Sequence, residues 1–216
     1  MLTEFFFVRH GETDANLAGI LQGNQNHSLN EVGIRQAKAV AEYLRDVDFS
    51  AIYSSDLLRA AKTAEIIAEC GHADVPLVFT ERLREWNCGE IEGWNWAKIR
   101  EKYPVEAKSF YVEQLQVQMP DGESGMEFQK RISDFLDDLV VKHPGGRILL
   151  VAHGGVLQRM FRHVAGIVAD GNLIPLAGNA SVSSFVFNHN VDGWQLTSWN
   201  VREHLKDIPQ HLSRVL

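Results

Sequence analysis

Four short apolar runs, Phe5 to Val8, Ala51 to Tyr53, Leu77 to Phe79 and Ile148 to Ala152, alternate with stretches patterned at helical spacing. Runs this short, without polar alternation, read as strands buried on both faces. Strands that alternate with helices predict an α/β sheet covered on both sides. Between the first two runs, Ala37, Val40, Ala41 and Leu44 recur at helical spacing behind Asn30, a cap-forming residue. Leu57 to Glu69 repeats the pattern through Ala60, Ala64, Ile67 and Ala68. Ser124 with Glu127 makes a capping box before Phe128, Ile132, Phe135, Leu136 and Leu139, and Gly145-Gly146 closes that helix. Val182 to Asn188 and Trp194 to Asn200 flank the turn-rich HNVDG, which predicts a hairpin on a sheet edge.

Residues 86–123 break this rhythm, with Trp86, Trp94, Trp96, Tyr103 and Phe110 scattered among charges. They are expected to form a mostly helical excursion over one end of the sheet. The 216 residues, 45% of them hydrophobic, fit a single domain over 1–216 with one large core. Lys plus Arg number 21 against 28 Asp plus Glu, for a net charge of -7, and no basic stripe suited to a nucleic-acid backbone runs along the chain. A bound anion must therefore be held locally. No apolar run approaches the roughly 18 residues of a membrane span, so no membrane partner is expected. Cys70 and Cys88 form neither a metal-spaced pair nor a disulfide framework, which suits a reducing compartment, and a cytoplasmic location is expected.

Four loop positions could carry chemistry, each after an expected strand or at a helix start, where ligands of open α/β sheets bind. Arg9-His10-Gly11 follows the first strand, and Arg59 sits on the first turn after Ser54-Ser55-Asp56. Glu85 lies beside Trp86 in LREWNCGEIEG, where an aromatic wall would raise a carboxyl pKa. His153 ends ILLVAHGG, whose paired glycines let backbone approach a ligand and whose following helix offers its N-terminus to an anion. Phosphate-ester hydrolysis without a metal needs a nucleophile, cations around the equatorial oxygens and an acid for the leaving oxygen, and these four positions could supply all of them.

Arg9-His10-Gly11-Glu12-Thr13 with Asn16, Leu21-Gln22-Gly23, Arg59 in SSDLLRAAKTA, LREWNCGEIEG and VAHGG together resemble the histidine phosphatase superfamily, in order and approximate spacing. The resemblance implies a phosphoglycerate mutase-like fold, a three-layer α/β/α sandwich around a mostly parallel sheet. It makes His10 the phosphorylated nucleophile and Glu85 the proton donor. Arg9, Arg59 and His153 would hold the phosphoryl oxygens, with Asn16, Gln22, Gly23 and Gly154 around the same pocket. No cofactor or metal is implied, and the partner is a small phosphorylated metabolite.

Glu85 is followed by Trp86 and Asn87 rather than by the arginine typical of glycolytic mutases, which favours hydrolysis. A mutase-type transfer and a non-catalytic phospho-ligand protein stay as alternatives. LREWNCGEIEGWNW is similar to broad-specificity and α-ribazole-5′-phosphate phosphatases. A sugar bisphosphate would need further cations, for which Arg82, Arg84, Lys98, Arg100 and Lys108 are candidates. His27, His72, His143, His163, His189, His204 and His211 lack metal-ligand spacing and are assigned to surface or packing, with a peripheral substrate contact open at His27. The edge hairpin near 181–200 leaves a homodimer open.

Overall fold

Six strands, β1 (Leu2–Arg9), β2 (Ala51–Ser55), β3 (Leu77–Thr80), β4 (Arg147–Ala152), β5 (Val182–Asn188) and β6 (Gly193–Val201), form one sheet in the order β3-β2-β4-β1-β5-β6. This is a computed structural model, and it describes residues 1–112, 114–169 and 173–210; His211 lies outside the described residues. The four strands from β3 to β1 run parallel, and β5 and β6 add an antiparallel hairpin to β1. The helices are α1 (Asp14–Leu17), α2 (Glu31–Leu44), α3 (Leu58–Glu69), α4 (Trp96–Lys102), α5 (Pro104–Val112), α6 (Gly125–Lys142) and α7 (Gly154–Val164).

Strand side chains alternate between faces, and in the central strands both faces are apolar. Phe5, Phe7, Ile148, Leu150 and Ala152 pack with Phe128, Ile132 and Leu136 of α6 and Val156, Leu157 and Met160 of α7. Val8, Leu149, Val151 and Ile52 face the other way, onto Ala37, Val40, Ala41 and Leu44 of α2 and Ala60, Ala64 and Ile67 of α3. The result is the expected three-layer α/β/α arrangement. Each fully buried Phe or Leu contributes about 1.5–3 kcal/mol to holding the layers together.

The helix starts follow local chemistry. Asn30 Oδ1 accepts from the Gly33 amide (2.8 Å), and the Ser124/Glu127 capping box forms in both directions. A second box, unexpected from sequence, closes α1 between Thr13 and Asn16.

Two expectations are corrected. Leu77 to Phe79, read as a buried strand, is the sheet's edge: Val78 is 40% and Phe79 45% exposed, because only β2 pairs with β3. The excursion is also less helical than expected, since α4 and α5 occupy its middle and the flanks are loop with one 3-10 turn at Gly89–Ile91. Its Ile91, Ile99, Ala107, Phe110, Val117 and Met119 nevertheless join the same apolar cluster as Phe5, Phe7 and α6.

The loop after β1 is pressed onto α2 through two glycines. A Cβ on Gly33 would lie 2.1 Å from the Glu12 carbonyl oxygen, and one on Gly11 would lie 2.4 Å from the Gly33 carbonyl oxygen. Helix propensity alone favours alanine over glycine by about 1 kcal/mol. Gly33→Ala is expected to do the opposite, lowering unfolding free energy in a urea titration by about 1–3 kcal/mol through overpacking against backbone. An unchanged or raised midpoint would show that the loop yields freely.

Candidate active site

Parallel strands end together, and that places the chemistry. Arg9 is in register with Ala152 across β1 and β4, so His10 and His153, the next residues in each chain segment, emerge at one sheet edge. Their ring centroids are 5.2 Å apart. β2 ends beside them at Ser55, whose Oγ lies 2.8 Å from His153 Nε2. His10 Nδ1 is 2.7 Å from the Gly11 carbonyl, which can only accept; the proton is therefore on Nδ1, and Nε2 carries the free lone pair.

Two guanidiniums act on these rings electrostatically, each braced by backbone carbonyls. Arg59, buried on the first turn of α3, donates from Nη1 to the Gln25 carbonyl and from Nη2 to the Gly23 carbonyl, both at 2.7 Å. Arg9 donates from Nη1 to the Ala177 carbonyl at 2.7 Å. The Nε atoms of both are buried without a hydrogen-bond partner, as is His153 Nδ1. Buried polar atoms of this kind need an explanation, and three of them grouped around two cations match the oxygens of a tetrahedral anion. Burial draws the Arg59 pKa down to about 10, opposed by Glu85, with Arg9 adding to the fall; the group is still charged at neutral pH.

Glu85 follows β3 and a 3-10 turn at Glu81–Leu83. Its two carboxylate oxygens accept from the amides of Trp86 (2.9 Å) and Gly155 (3.0 Å). Trp86 was expected to wall this carboxyl; its indole packs on Phe110 and Phe128 and donates to the Glu123 carbonyl, while amides fix the carboxylate. The amide of Gly155 at the start of α7, expected to face a ligand anion, is thus taken by Glu85. Gly154 lies against the Arg9 guanidinium instead, where a Cβ would sit 3.5 Å from Cζ. At α3 the amides of Leu57 and Leu58 are likewise taken, by Ser55 Oγ and Asn26 Oδ1. Charge for a ligand at this edge comes from side chains rather than from helix ends.

The remaining expected residues bond to one another beside the His10 loop. Asn16 Oδ1 accepts from the Thr13 amide and hydroxyl and from Asn179 Nδ2, and Gln22 Oε1 accepts from the Thr13 hydroxyl at 3.1 Å. Gly23, at φ +49°, leaves room for Glu92, whose Oε1 would be 2.0 Å from a Cβ there. That same oxygen accepts the amides of Asn24 (2.9 Å) and Cys88 (3.0 Å), tying the loop that seats Arg59 to the loop that carries Glu85. His27 is half-buried and its pKa is lowered by burial and then by Arg59, which places it near that guanidinium.

Several contributors were missed in the sequence. Asn179 Nδ2 donates to the carbonyls of His10 (3.1 Å) and Gly11 (3.3 Å), holding the His10 loop from 169 residues away. Arg131 of α6 donates to the carbonyls of Arg82, Arg84 and Glu85 and pairs closely with Glu123, bracing the Glu85 loop. The only local hint of Asn179 is Gly-Asn-Ala-Ser just before β5. Among the described residues no group of three His, Cys, Asp or Glu side chains is placed to hold a metal ion, and no helix is long and apolar enough to cross a membrane. His72, His143, His163 and His189 bond to Leu44, Tyr53, Asp137 and Thr3 respectively, and His204 bonds to the carbonyl of Ala180, whose amide donates to the carbonyls of Arg9 and His10.

His10 and His153 are both held well below the usual histidine pKa, first by burial and next by Arg59. Unfolding exposes the rings, which then take up protons as pH falls through about 6.5, while the folded rings stay neutral. The unfolded state binds more protons in that window, so stability present above about pH 6.5 is lost as pH falls toward the folded values. For His10→Gln the loss of unfolding free energy between pH 6.5 and 5.5 should be smaller than for the unaltered protein, by up to about 1 kcal/mol. Equal losses would show that the folded ring protonates as readily as the unfolded one.

A family model described as histidine phosphatase superfamily (branch 1) matches residues 5–202. The chain is 37% identical over 210 residues to the Arabidopsis thaliana protein named metal-independent phosphoserine phosphatase, covering 96% of this chain and 85% of that relative. It is 34% identical over 208 residues to phosphoglycerate mutase-like protein 4 of the same plant, covering 94% and 87%. A solved structure of a histidine-to-alanine variant of Entamoeba histolytica phosphoserine phosphatase, in complex with phosphoserine, is similar at a TM-score of 0.80 and 28% identity, covering 94% of this chain and 99% of that one. The chain belongs to the histidine phosphatase superfamily, branch 1, as a phosphomonoester-hydrolysing member with the phosphoglycerate mutase-like fold.

Proposed function

We propose that the protein hydrolyses a small, singly phosphorylated metabolite without a metal ion, through a phosphohistidine on His10, and that phosphoserine is the first substrate to test. The observation that carries this is the state of His10: a ring whose Nδ1 proton is spent on the Gly11 carbonyl, which leaves the lone pair on Nε2, and which burial, Arg59 and Arg9 together keep neutral.

In the first step Nε2 attacks phosphorus, the bond from phosphorus to the leaving oxygen breaks, and protonated Glu85 gives its proton to that oxygen. In the second, the Glu85 carboxylate takes a proton from water as the water attacks phosphohistidine, releasing inorganic phosphate and restoring both groups. Arg9 and Arg59 stabilise the charge spread over the equatorial oxygens, the part a metal ion plays in other phosphoryl-transfer sites.

The serine ester is favoured by the 37% identical relative and by the phosphoserine complex of the Entamoeba protein. A substrate with one phosphate is favoured by where the outer cations go. Arg84 is paired with Asp56 and Arg82 with Asp138, while Lys98 and Lys102 lie over the Trp94 ring. Arg100 and Lys108 are exposed on α4 and α5.

Quenching with a phosphorylated substrate should trap an acid-labile, base-stable label that His10→Ala lacks; label retained in that variant rules out the mechanism. Activity should survive a chelator. In a phosphomonoester panel scored by kcat/KM, phosphoserine should lead α-ribazole 5′-phosphate, sugar phosphates and phosphoglycerates, and any other ranking reassigns the substrate.

Leaving-group dependence tests Glu85. Glu85→Gln should lower kcat on phosphoserine by about 10²–10⁴, the usual worth of a general acid. On an aryl phosphate, whose phenolate leaves unaided, the first step should be nearly spared and phosphohistidine should accumulate. Equal losses in the rate of phosphohistidine formation from both substrates would remove Glu85 as the acid.

A further inference from the structure

Ser55 lies outside every role described so far, yet it is fully buried and its Oγ is 2.8 Å from His153 Nε2. Two protons have to be placed between these side chains. A neutral imidazole has one donor nitrogen and one acceptor nitrogen, and a serine hydroxyl has a single proton. The Leu57 amide already donates into Ser55 Oγ at 3.3 Å, so that oxygen is serving as an acceptor. The acceptor within reach of the hydroxyl proton is His153 Nε2. The ring's own proton is then on Nδ1, the atom that is buried with no hydrogen-bond partner.

The surroundings of Nδ1 sharpen the point. Arg59, Arg9 and Arg131 around the ring carry only donors, and the His10 ring beside it, whose Nε2 has a lone pair, makes no hydrogen bond to Nδ1. The Nδ1 proton is therefore left for an incoming anion. The opposite tautomer would aim a lone pair at that anion and leave the serine proton without an acceptor.

We infer that Ser55 is a positioning residue: by donating to Nε2 it keeps the proton of His153 on Nδ1, so that a neutral His153 donates a hydrogen bond to a phosphoryl oxygen. The inference rests on the phosphatase reading for the identity of the anion. A bond to one ring nitrogen fixing the protonation of the other is a general way of setting an imidazole's tautomer.

The test is spectroscopic, on the full chain labelled with ¹⁵N-histidine, the His153 signals being assigned with His153→Asn. With inorganic phosphate present, His153 should show a protonated Nδ1 and an unprotonated Nε2. In Ser55→Ala the proton should shift toward Nε2, and the inhibition constant for inorganic phosphate should rise roughly tenfold, with a similar fall in kcat/KM. Ser55→Cys, close in size and a weaker donor, should fall between the two and serves if the alanine variant does not fold. A protonated Nε2 in the unaltered protein with phosphate bound would overturn the inference, and so would a Ser55→Ala protein with unchanged tautomer and unchanged phosphate inhibition. The wild-type spectrum needs neither a variant nor turnover. Loss of the phosphohistidine on His10 would therefore refute the catalytic scheme and leave the tautomer result standing.

Discussion

Two guanidinium groups held side by side at the end of a parallel sheet are the constraint on which the rest of the site depends. Arg9 and Arg59 repel each other and lose hydration on burial, and each effect lowers the pKa of Arg59. The fold compensates with neutral dipoles: the carbonyls of Ala177, Gly23 and Gln25 brace the outer faces of the cations. The same cations, together with burial, keep the two histidines between them unprotonated. A pair of buried cations and a pair of neutral imidazoles are thus one arrangement seen from two sides, and placing either without the other would be costly.

What was legible in the sequence was local. A short apolar run followed by Arg-His-Gly, or by His-Gly-Gly, marks a strand end in consecutive residues, and Asn30 and the Ser124/Glu127 pair mark helix starts within one turn. The roles of Arg9, His10, Arg59, Glu85 and His153 entered through resemblance, and the geometry brings these five together at one edge. What was not legible depends on contacts between distant segments. Gly-Asn-Ala-Ser marks a turn at Asn179 without naming the His10 loop as its partner, and nothing in SSD signals that Ser55 meets a histidine 98 residues later. The same limit explains the two corrections. An apolar Leu-Val-Phe looks alike in a central strand and at an edge, and scattered tryptophans do not distinguish helix from loop.

Helix N-termini, often the anion holders of α/β folds, have another task here. The Gly155 amide at the start of α7 grips Glu85, and the amides at the start of α3 are occupied by Ser55 and Asn26. The helix starts therefore orient side chains, and the side chains meet the ligand.

The machinery also divides by origin. Arg9, His10 and His153 sit at the ends of central strands and Arg59 on the helix that follows β2, whereas Glu85 stands at the threshold of an irregular excursion. Glu92 crosses that divide, one carboxylate oxygen clasping amides on both sides. A single carboxylate oxygen thus sets the distance between two loops that meet nowhere in sequence, and losing it would free the Arg59 brace and the Glu85 loop to move independently.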